Sequence, residues 1–450
     1  MTVGIVVSRA DSASRAIGER LLALRDWERA DDDASAARYR CGGFELREFE
    51  DWHLELEGVA SAFDDPAFVV FASRHAGSSG PLLTAHFTGN FGAAEHGGAD
   101  RDLAEACPNA HRAVVSAFAE HAPEDYDVGM ECTHHGPTAV GTPSMFVELG
   151  SSESEWADES AAETVARAIL DLRGVDAHAE RTVVAFGGGH YAPRPTRIVE
   201  TTDWAVGHVG ADWCLDDLGD PREHRDVVAQ AFAESGATRA VVDGEQPRLR
   251  EVVADLGHDV VSETWLRETT GVDLGLATDL EAELGRVADG LRFGDAAREG
   301  APREYVVVDH PDGLWADAHS VDADAALAAA SEHALAYTTE ENGNRVAGDI
   351  AFPDANAHDA YVAALASLLD EKYDAVERDA DAVRVTDESF DPGKANARGV
   401  PEGPKFGRLA SGHTVEVDGE EIRPEDVASE RAEAYPRGAR ETVVRREGER

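Results

Sequence analysis

The sequence predicts an α/β fold on a mixed or largely parallel sheet, and three observations carry that prediction. Short β-branched or aromatic runs with little alternation, at 3–8, 67–72 and 182–186, read as strands buried on both faces. Between them lie longer stretches of helical period, and strands alternating with helices place helices against a sheet. Several strand-like runs also stop at an imidazole or a glycine cluster, as they do where chains turn at the rim of such a sheet.

In chain order, 3–8 is the first buried strand, and Ser12 caps a helix running to about residue 24. The acidic run at 31–33 is a solvated loop, and 44–49 alternates like a half-buried strand. Residues 67–72 form a second buried strand ending in Ser73-Arg74-His75. A third, from about 82, closes with His86-Phe87-Thr88-Gly89-Asn90. A helix over 109–121 leads to a strand at 126–130. After a strand ending near Glu148-Leu149-Gly150-Ser151, Ser152 and Glu155 stand at capping-box spacing and open one long amphipathic helix to about 172. Strand 182–186 runs into Gly187-Gly188-Gly189-His190-Tyr191-Ala192-Pro193-Arg194. A strand at 204–208, a helix at 222–235 and a strand at 239–242 follow.

The texture changes near 275. Residues 1–275 read as one catalytic domain and 276–302 as a helical linker (a helix over 276–291, then Gly300-Ala301-Pro302). Residues 303–435 read as a smaller α/β domain with an Ala-rich helix at 323–336, and 436–450 as a charged, frayed tail.

The stretch Glu131-Cys132-Thr133-His134-His135-Gly136-Pro137 carries the chemistry. Imidazole and carboxylate are ordinary zinc ligands, and histidine is the acid or base that works near neutral pH. Histidines close four strands, at His75, His86, His134 with His135, and His190, while His208 lies near another. Such strands would bring their imidazoles together along one sheet edge. The triple glycine lacks the spacing of a dinucleotide loop, and Tyr191-Ala192-Pro193 is expected to break any helix meant for a pyrophosphate; close backbone approach to a ligand fits better. Arg194 could grip a phosphate or carboxylate, or form a structural ion pair. If the strand persists, Cys132 faces the same way as His134. A Cys–His nucleophile is then conceivable, but without an oxyanion loop a packed cysteine is expected.

Together these stretches resemble the metal-containing, archaeal and plant type of D-aminoacyl-tRNA deacylase. The matching residues are Ser73-Arg74-His75, His86 with Gly89-Asn90, the 131–137 motif, Glu148-Leu149-Gly150-Ser151, Gly189 to Arg194 and Gly207-His208. The resemblance covers about residues 1–275. It implies a three-layer, phosphorylase- or hydrolase-like mixed sheet and hydrolysis of the ester joining a D-amino acid to the tRNA 3′ end, with zinc, one ion or two. One departure stands out: Ala211-Asp212 occupies the place where the family tends to carry a basic residue. In the extension, 399–409 and Thr414-Val415-Glu416-Val417-Asp418-Gly419 resemble a short segment of ribonuclease Z near its tRNA-binding arm.

On this basis His75, His134, His190 and Glu131 are the expected metal ligands. Glu148 is the expected general base and His135 the acid, while His86, Asn90, Tyr191, Arg194 and His208 are expected to hold substrate. The expected partner is tRNA carrying a D-amino acid, with no membrane and no protein partner. The rival readings are a zinc exopeptidase or amidohydrolase on small substrates, and a non-catalytic tRNA-binding protein.

Composition bounds the setting. Of 450 residues, 89 are Asp or Glu and 41 Lys or Arg, for a net charge of −48, and lysine occurs only at Lys372, Lys394 and Lys405. The acidic residues are spread along the chain, the pattern of cytoplasmic proteins in salt-in halophiles. The four cysteines form no disulfide framework, the first residues read as a strand, and no run approaches the roughly 18 apolar residues of a membrane span. A surface so charged repels itself unless salt screens it. Unfolding followed by circular dichroism from molar to low KCl should therefore show a large loss of stability as salt is withdrawn. Undiminished stability at low salt would remove the halophile reading.

Overall fold

The structure, a computed structural model, describes residues 1–30, 34–438 and 441–446; the acidic run 31–33 lies outside them. The chain forms two compact units, Met1–Thr270 and Gly271–Arg450. Among the described residues no helix is long and apolar enough to cross a membrane.

The first unit opens with β1 (Val3–Ser8), α1 (Ser12–Leu24), β2 (Glu28–Ala30), β3 (Ala37–Cys41) and β4 (Phe44–Phe49). There follow β5 (Phe68–Arg74), β6 (Leu82–His86), the short pair β7 (Gly89–Asn90) and β8 (Asp102–Leu103), α2 (Pro108–His121), β9 (Asp127–Met130) and β10 (Ser144–Gly150). Eight of these strands make one mixed sheet in the order β2-β3-β4-β1-β5-β10-β6-β9. β5 runs parallel to β1 and β10, while β6 runs antiparallel to β10 and parallel to the edge strand β9.

Alternation along the central strands divides two apolar layers. Ile5, Val7, Val70, Ala72, Met145, Val147 and Leu149 join a large core with α1, α2 and the later residues Ala161, Val165 and Ile169. Val6, Val69, Phe71 and Phe146 face a smaller cluster with Val59, Ala60 and Phe63. Strand residues with the parity of Phe146 therefore lie on the second face, and that placement puts Glu148 inside the protein.

The expected single helix over 152–172 is two. α3 (Glu153–Trp156) starts where the Glu155 carboxylate accepts the Ser152 N–H at 2.8 Å. α4 (Glu159–Leu170) starts afresh because Asp158 caps Ser160 N and Ala161 N.

The remainder of the unit is β11 (Thr182–Phe186), α5 (Pro193–Thr201), β12 (Ala205–Gly210), α6 (Asp212–Leu218), α7 (Arg225–Ser235), β13 (Arg239–Val242), α8 (Pro247–Asp255), β14 (Asp259–Val260) and α9 (Glu263–Thr269). Its strands form a separate all-parallel sheet, β12-β11-β13-β14. The expectation that Pro193 would break a helix is corrected: proline occupies the first turn of α5, where its missing N–H leaves no bond unmade.

In the second unit, α10 (Leu274–Leu284), β15 (Leu291–Phe293) and α11 (Asp295–Glu299) occupy the residues read as a linker, and β15 pairs antiparallel with residues 336–338. Then come β16 (Glu304–Asp309), α12 (Asp312–Val321), α13 (Ala323–His333), β17 (Ala336–Glu340), β18 (Arg345–Phe352), α14 (Ala355–Leu369), β19 (Ala375–Arg378), β20 (Ala382–Phe390), α15 (Pro392–Ala397) and α16 (Pro404–Ala410). The unit ends with β21 (Val415–Val417), β22 (Glu420–Ile422), β23 (Ala428–Pro436) and β24 (Glu441–Arg445). Its five-stranded sheet, β15-β17-β18-β16-β24, is antiparallel throughout. Part of the tail expected to fray is thus strand β24, paired with β16; residues 439–440 and 447–450 lie outside the description.

Each unit has its own apolar core. We propose that residues 1–270 fold alone. In molar KCl that truncated chain should give one cooperative thermal transition by circular dichroism; a chain without a transition would refute independent folding.

Candidate active site and metal-ligand cluster

Glu148 lies opposite Thr84 on β6 and beside Ser73 on β5, on the face that also carries Phe146. Only 3% of it is exposed, and Glu131, just past the end of β9, is 1% exposed. A buried carboxylate needs a positive or hydrogen-bonded partner to stay ionised. His75 supplies one: its Nδ1 is 3.1 Å from Glu131 Oε1 and 3.7 Å from Glu148 Oε2. Burial pulls the His75 imidazole down, but hydrogen bonds to both carboxylates hold it up to about 10. In turn, both carboxylates stay below their usual range despite burial, Glu131 through His190 and His75, Glu148 through His75 and His86. Gly150 is what admits His75, since a Cβ there would lie 2.6 Å from His75 Cβ.

The other His75 nitrogen faces the mouth of the site, with Tyr191 Oη at 3.3 Å and Ser79 Oγ at 3.5 Å. Tyr191 also donates to Ser79 Oγ at 3.1 Å and is itself exposed.

Three further imidazoles stand together. Ring centroids are 4.2 Å apart for His86 and His134, 4.5 Å for His134 and His135, and 4.8 Å for His86 and His135. Each uses Nδ1 on a main-chain carbonyl: His86 on Phe87 O at 3.0 Å, His134 on Cys132 O at 2.8 Å, and His135 on Gly136 O at 2.8 Å. A carbonyl only accepts, so each Nδ1 carries a proton and a neutral ring keeps its lone pair on Nε2; burial lowers His86, but Glu148 beside its Nε2 raises it overall. One ring nitrogen from each lies within 4.8 Å of the other two. Burial, with His134 and His86 close by, pushes His135 well down, so it is neutral.

Two more groups meet the same criterion, Cys132 with His134 and His190, and His75 with Glu131 and Glu148. Cys132 Sγ is 3.3 Å from His190 Nδ1, while His190 Nε2 is 2.8 Å from Glu131 Oε2. Hydrogen bonds with Cys132 and Glu131 hold His190 up to about 10. The Cys132 thiol is drawn below its usual range by Cys214, His134 and His190 against the effect of burial.

These residues fit a metal ion. The tautomers of three imidazoles are set by backbone carbonyls, as outer partners set those of metal-bound histidines. One buried atom at the centre, His86 Nε2, makes no hydrogen bond, although Glu148 Oε1 lies 3.5 Å away. The two buried carboxylates call for positive charge.

The structure gathers most of the residues named from sequence and corrects several roles. His75 stands with Glu131 and Glu148 in one possible ligand group, while His135, expected as the acid, stands with His86 and His134 in another and is pushed well down by burial. His86, expected on substrate, belongs with His134 and His135. Asn90 instead clamps a loop, donating to Gly97 O at 3.0 Å and Ala99 O at 3.2 Å. Arg194 pairs with Asp243 and Glu263 at 3.6 and 3.4 Å, the structural alternative. His208 is fully buried; Nε2 donates to Ala104 O at 2.8 Å and Nδ1 accepts from the Thr133 hydroxyl at 3.0 Å, so it steadies the loop and cannot meet substrate.

The histidines do not share one sheet edge, because His190 and His208 belong to the parallel sheet. Nor does strand alternation orient Cys132 and His134: β9 ends at Met130 and His135 has φ of 48°, so the chain turns and Glu131, Cys132 and His134 all approach His190. Sequence reasoning passed over Cys132 as a potential ligand and Trp213, whose ring is 6.4 Å from that of His190. A cysteine inside the Glu131–Pro137 motif was the available signal for the first.

A sequence profile for D-aminoacyl-tRNA deacylase matches residues 62–261. A D-aminoacyl-tRNA deacylase of Halobacterium salinarum is 54% identical, with 95% of this chain and 93% of the relative covered. One of Natronomonas pharaonis is 53% identical, covering 94% of this chain and 98% of the relative. Among solved structures, that of a conserved protein of unknown function matches 60% of this chain and 98% of its own, at 29% identity and a TM-score of 0.56.

Burial pushes His208 down to about 4, against about 6.5 in an unfolded chain. The unfolded state then binds the proton more tightly, so this contribution to stability is whole above pH 6.5 and is lost as pH falls towards 4. Replacing His208 by Gln should flatten the fall in stability between pH 6.5 and 4.5, measured by denaturant titration at constant molar KCl. Parallel curves for H208Q and the parent chain would place the His208 pKa near its ordinary value.

Proposed function

The chain belongs to the D-aminoacyl-tRNA deacylase family, a hydrolase of the aminoacyl ester, and on that premise we propose that the buried histidine–carboxylate cluster is where the ester of a D-amino acid with the tRNA 3′ end is cleaved. One observation carries the reading: three imidazoles, each anchored through Nδ1 to a main-chain carbonyl and grouped within ligand distance of one another, stand beside an imidazole held by two buried carboxylates.

His86, His134 and His135 are the residues to hold a zinc ion, all three presenting imidazole nitrogen. Zinc when bound would act as a Lewis acid towards the ester carbonyl and make water a better nucleophile near neutral pH. The remaining roles fall to the chain's own groups. Glu148 is ionised and buried beside His86, 3.5 Å from its Nε2, and is the base that accepts a proton from the attacking water. His75 carries a proton at working pH and turns Nε2 to the mouth, where it can protonate the departing 3′-oxygen. Glu131 holds His75 and His190 in place through one carboxylate. Tyr191, exposed beside His75, meets the incoming substrate.

Cys132 is fully buried, and its sulfur is turned to His190. A covalent route through the thiolate would need it to reach an ester from there, so water is the nucleophile in this reading. The protein works in the cytoplasm, and residues 303–435 contribute to holding tRNA, as the likeness of 399–409 to a tRNA-arm segment implies. That a chain of −48 handles a polyanion requires salt high enough that counterion release adds little.

Zinc content and turnover of D-aminoacyl-tRNA, measured together in molar KCl, test this. A chelator should abolish turnover and added zinc restore it. Loss of Lewis acidity is worth several kcal/mol, so His134→Ala should lose metal and slow on the order of a thousandfold. Cys132→Ala should retain metal and most of its rate. A folded, metal-loaded but inactive Cys132→Ala chain would establish the thiolate route instead, and a folded chain without metal would move the ion to Cys132, His134 and His190.

A further inference from the structure

Four large apolar side chains are exposed among the described residues, Met1, Tyr191, Trp213 and Val443, and both aromatic ones neighbour His190. The Tyr191 ring centroid is 5.0 Å from that of His190 and the Trp213 centroid 6.4 Å. A tryptophan 44% exposed and a tyrosine 41% exposed, at one imidazole of the site and almost nowhere else, ask for an occupant.

Trp213 is held where it stands. It is the second residue of α6, and the residue before it is locked to the glycine turn that carries His190. Asp212 N–H donates to Gly188 O at 2.9 Å, and Gly188 N–H donates to Asp212 Oδ1 at 3.1 Å. His190 Nε2 is in turn 2.8 Å from Glu131 Oε2, so the exposed rings keep a fixed relation to the buried carboxylates.

Charge narrows what the rings can receive. At this place the chain carries Asp212 rather than a base, and the nearby Arg194 is occupied by Asp243 and Glu263. In a protein of net charge −48 the grip on a nucleic-acid end cannot rest on phosphate pairing, least of all in concentrated salt. Base stacking on an aromatic face survives salt and is open to any base. The nucleoside nearest the scissile ester of an aminoacyl-tRNA is its 3′-terminal adenosine.

We propose that Trp213, with Tyr191 beside it, is the platform on which that terminal adenine stacks, placing the ribose ester at His75 and His134. The inference rests on the deacylase reading and gives it a binding residue. A stacked base is worth roughly ten- to a hundredfold in affinity.

The test is titration of the trinucleotide CCA, which has no ester to cleave, onto the full-length zinc-loaded chain in molar KCl, read by calorimetry. Trp213→Ala should bind it about tenfold or more weakly, and Trp213→Phe should recover most of the loss. A trinucleotide whose 3′ residue is abasic should bind the parent chain as weakly, and the two losses should not add, because both remove one contact. With acylated tRNA, Trp213→Ala should raise KM much more than it lowers kcat. Unchanged CCA binding by a folded Trp213→Ala chain, or additive losses, would overturn the platform. Adenosine monophosphate binding as tightly as CCA would overturn the assignment to a tRNA end in favour of a free nucleotide. A parent chain that binds CCA through Trp213 but cleaves no D-aminoacyl-tRNA would sink the deacylase reading and leave the platform standing.

Discussion

Two carboxylates inside an α/β sheet, Glu131 and Glu148, set the terms for the rest of the first unit. Removing an ionised carboxylate from water is expensive unless charge and hydrogen bonds replace the water. Every neighbouring feature meets that demand. His75 bridges the pair, His190 takes the other Glu131 oxygen, and His86 stands next to Glu148. Gly150 leaves the space His75 needs, and Trp156 Nε1 donates to the His75 carbonyl at 2.9 Å, fixing the backbone from behind. Without a counter-charge, a sheet this apolar would not keep either glutamate ionised.

The same demand divides the histidines into two kinds. Those with a ring nitrogen at a carboxylate, His75, His86 and His190, are all held up, His75 and His190 to about 10. His135, buried among imidazoles with no acid against it, is pushed the other way. His53 behind the site and His208 beneath it are lowered to about 4 by burial. Residues of one type thus serve as proton carrier, lone-pair donor or structural peg according to what faces them, and groups whose environments separate their pKa values are the expected mark of acid–base machinery.

Much of this was legible in the sequence because chemistry and punctuation coincide there. Buried strands end within Ser73-Arg74-His75, at His86 and just before Gly187-Gly188-Gly189-His190, so the strands and the principal imidazoles could be placed from one pattern. What could not be read is decided at a distance. That 182–186 belongs to a second sheet depends on pairing with 205–210 and 239–242, which no local run encodes. Periodicity ran through 152–172 as one helix because Asp158 is polar on either account, and only its capping bonds reveal the break. Roles were harder than membership. His208 and Asn90 look like substrate residues until their ring or amide nitrogens are found bonded to backbone and Thr133.

Charge and site make opposite demands on this chain, and the structure separates them in space. The acidic excess lies on residues open to solvent, where salt can screen it, whereas the two glutamates of the site are screened by protein alone. A negative surface would ordinarily repel a nucleic-acid end, so what the site offers at its mouth matters more than in a basic protein. It offers little free cation: Arg194 and Arg197 are both bonded to Glu263. It does offer apolar rings, a phenol beside His75 and an indole beside His190. In concentrated salt, where Coulomb attraction fades and apolar contact does not, that exchange of charge for aromatic surface keeps a polyanion's end within reach of the buried acids.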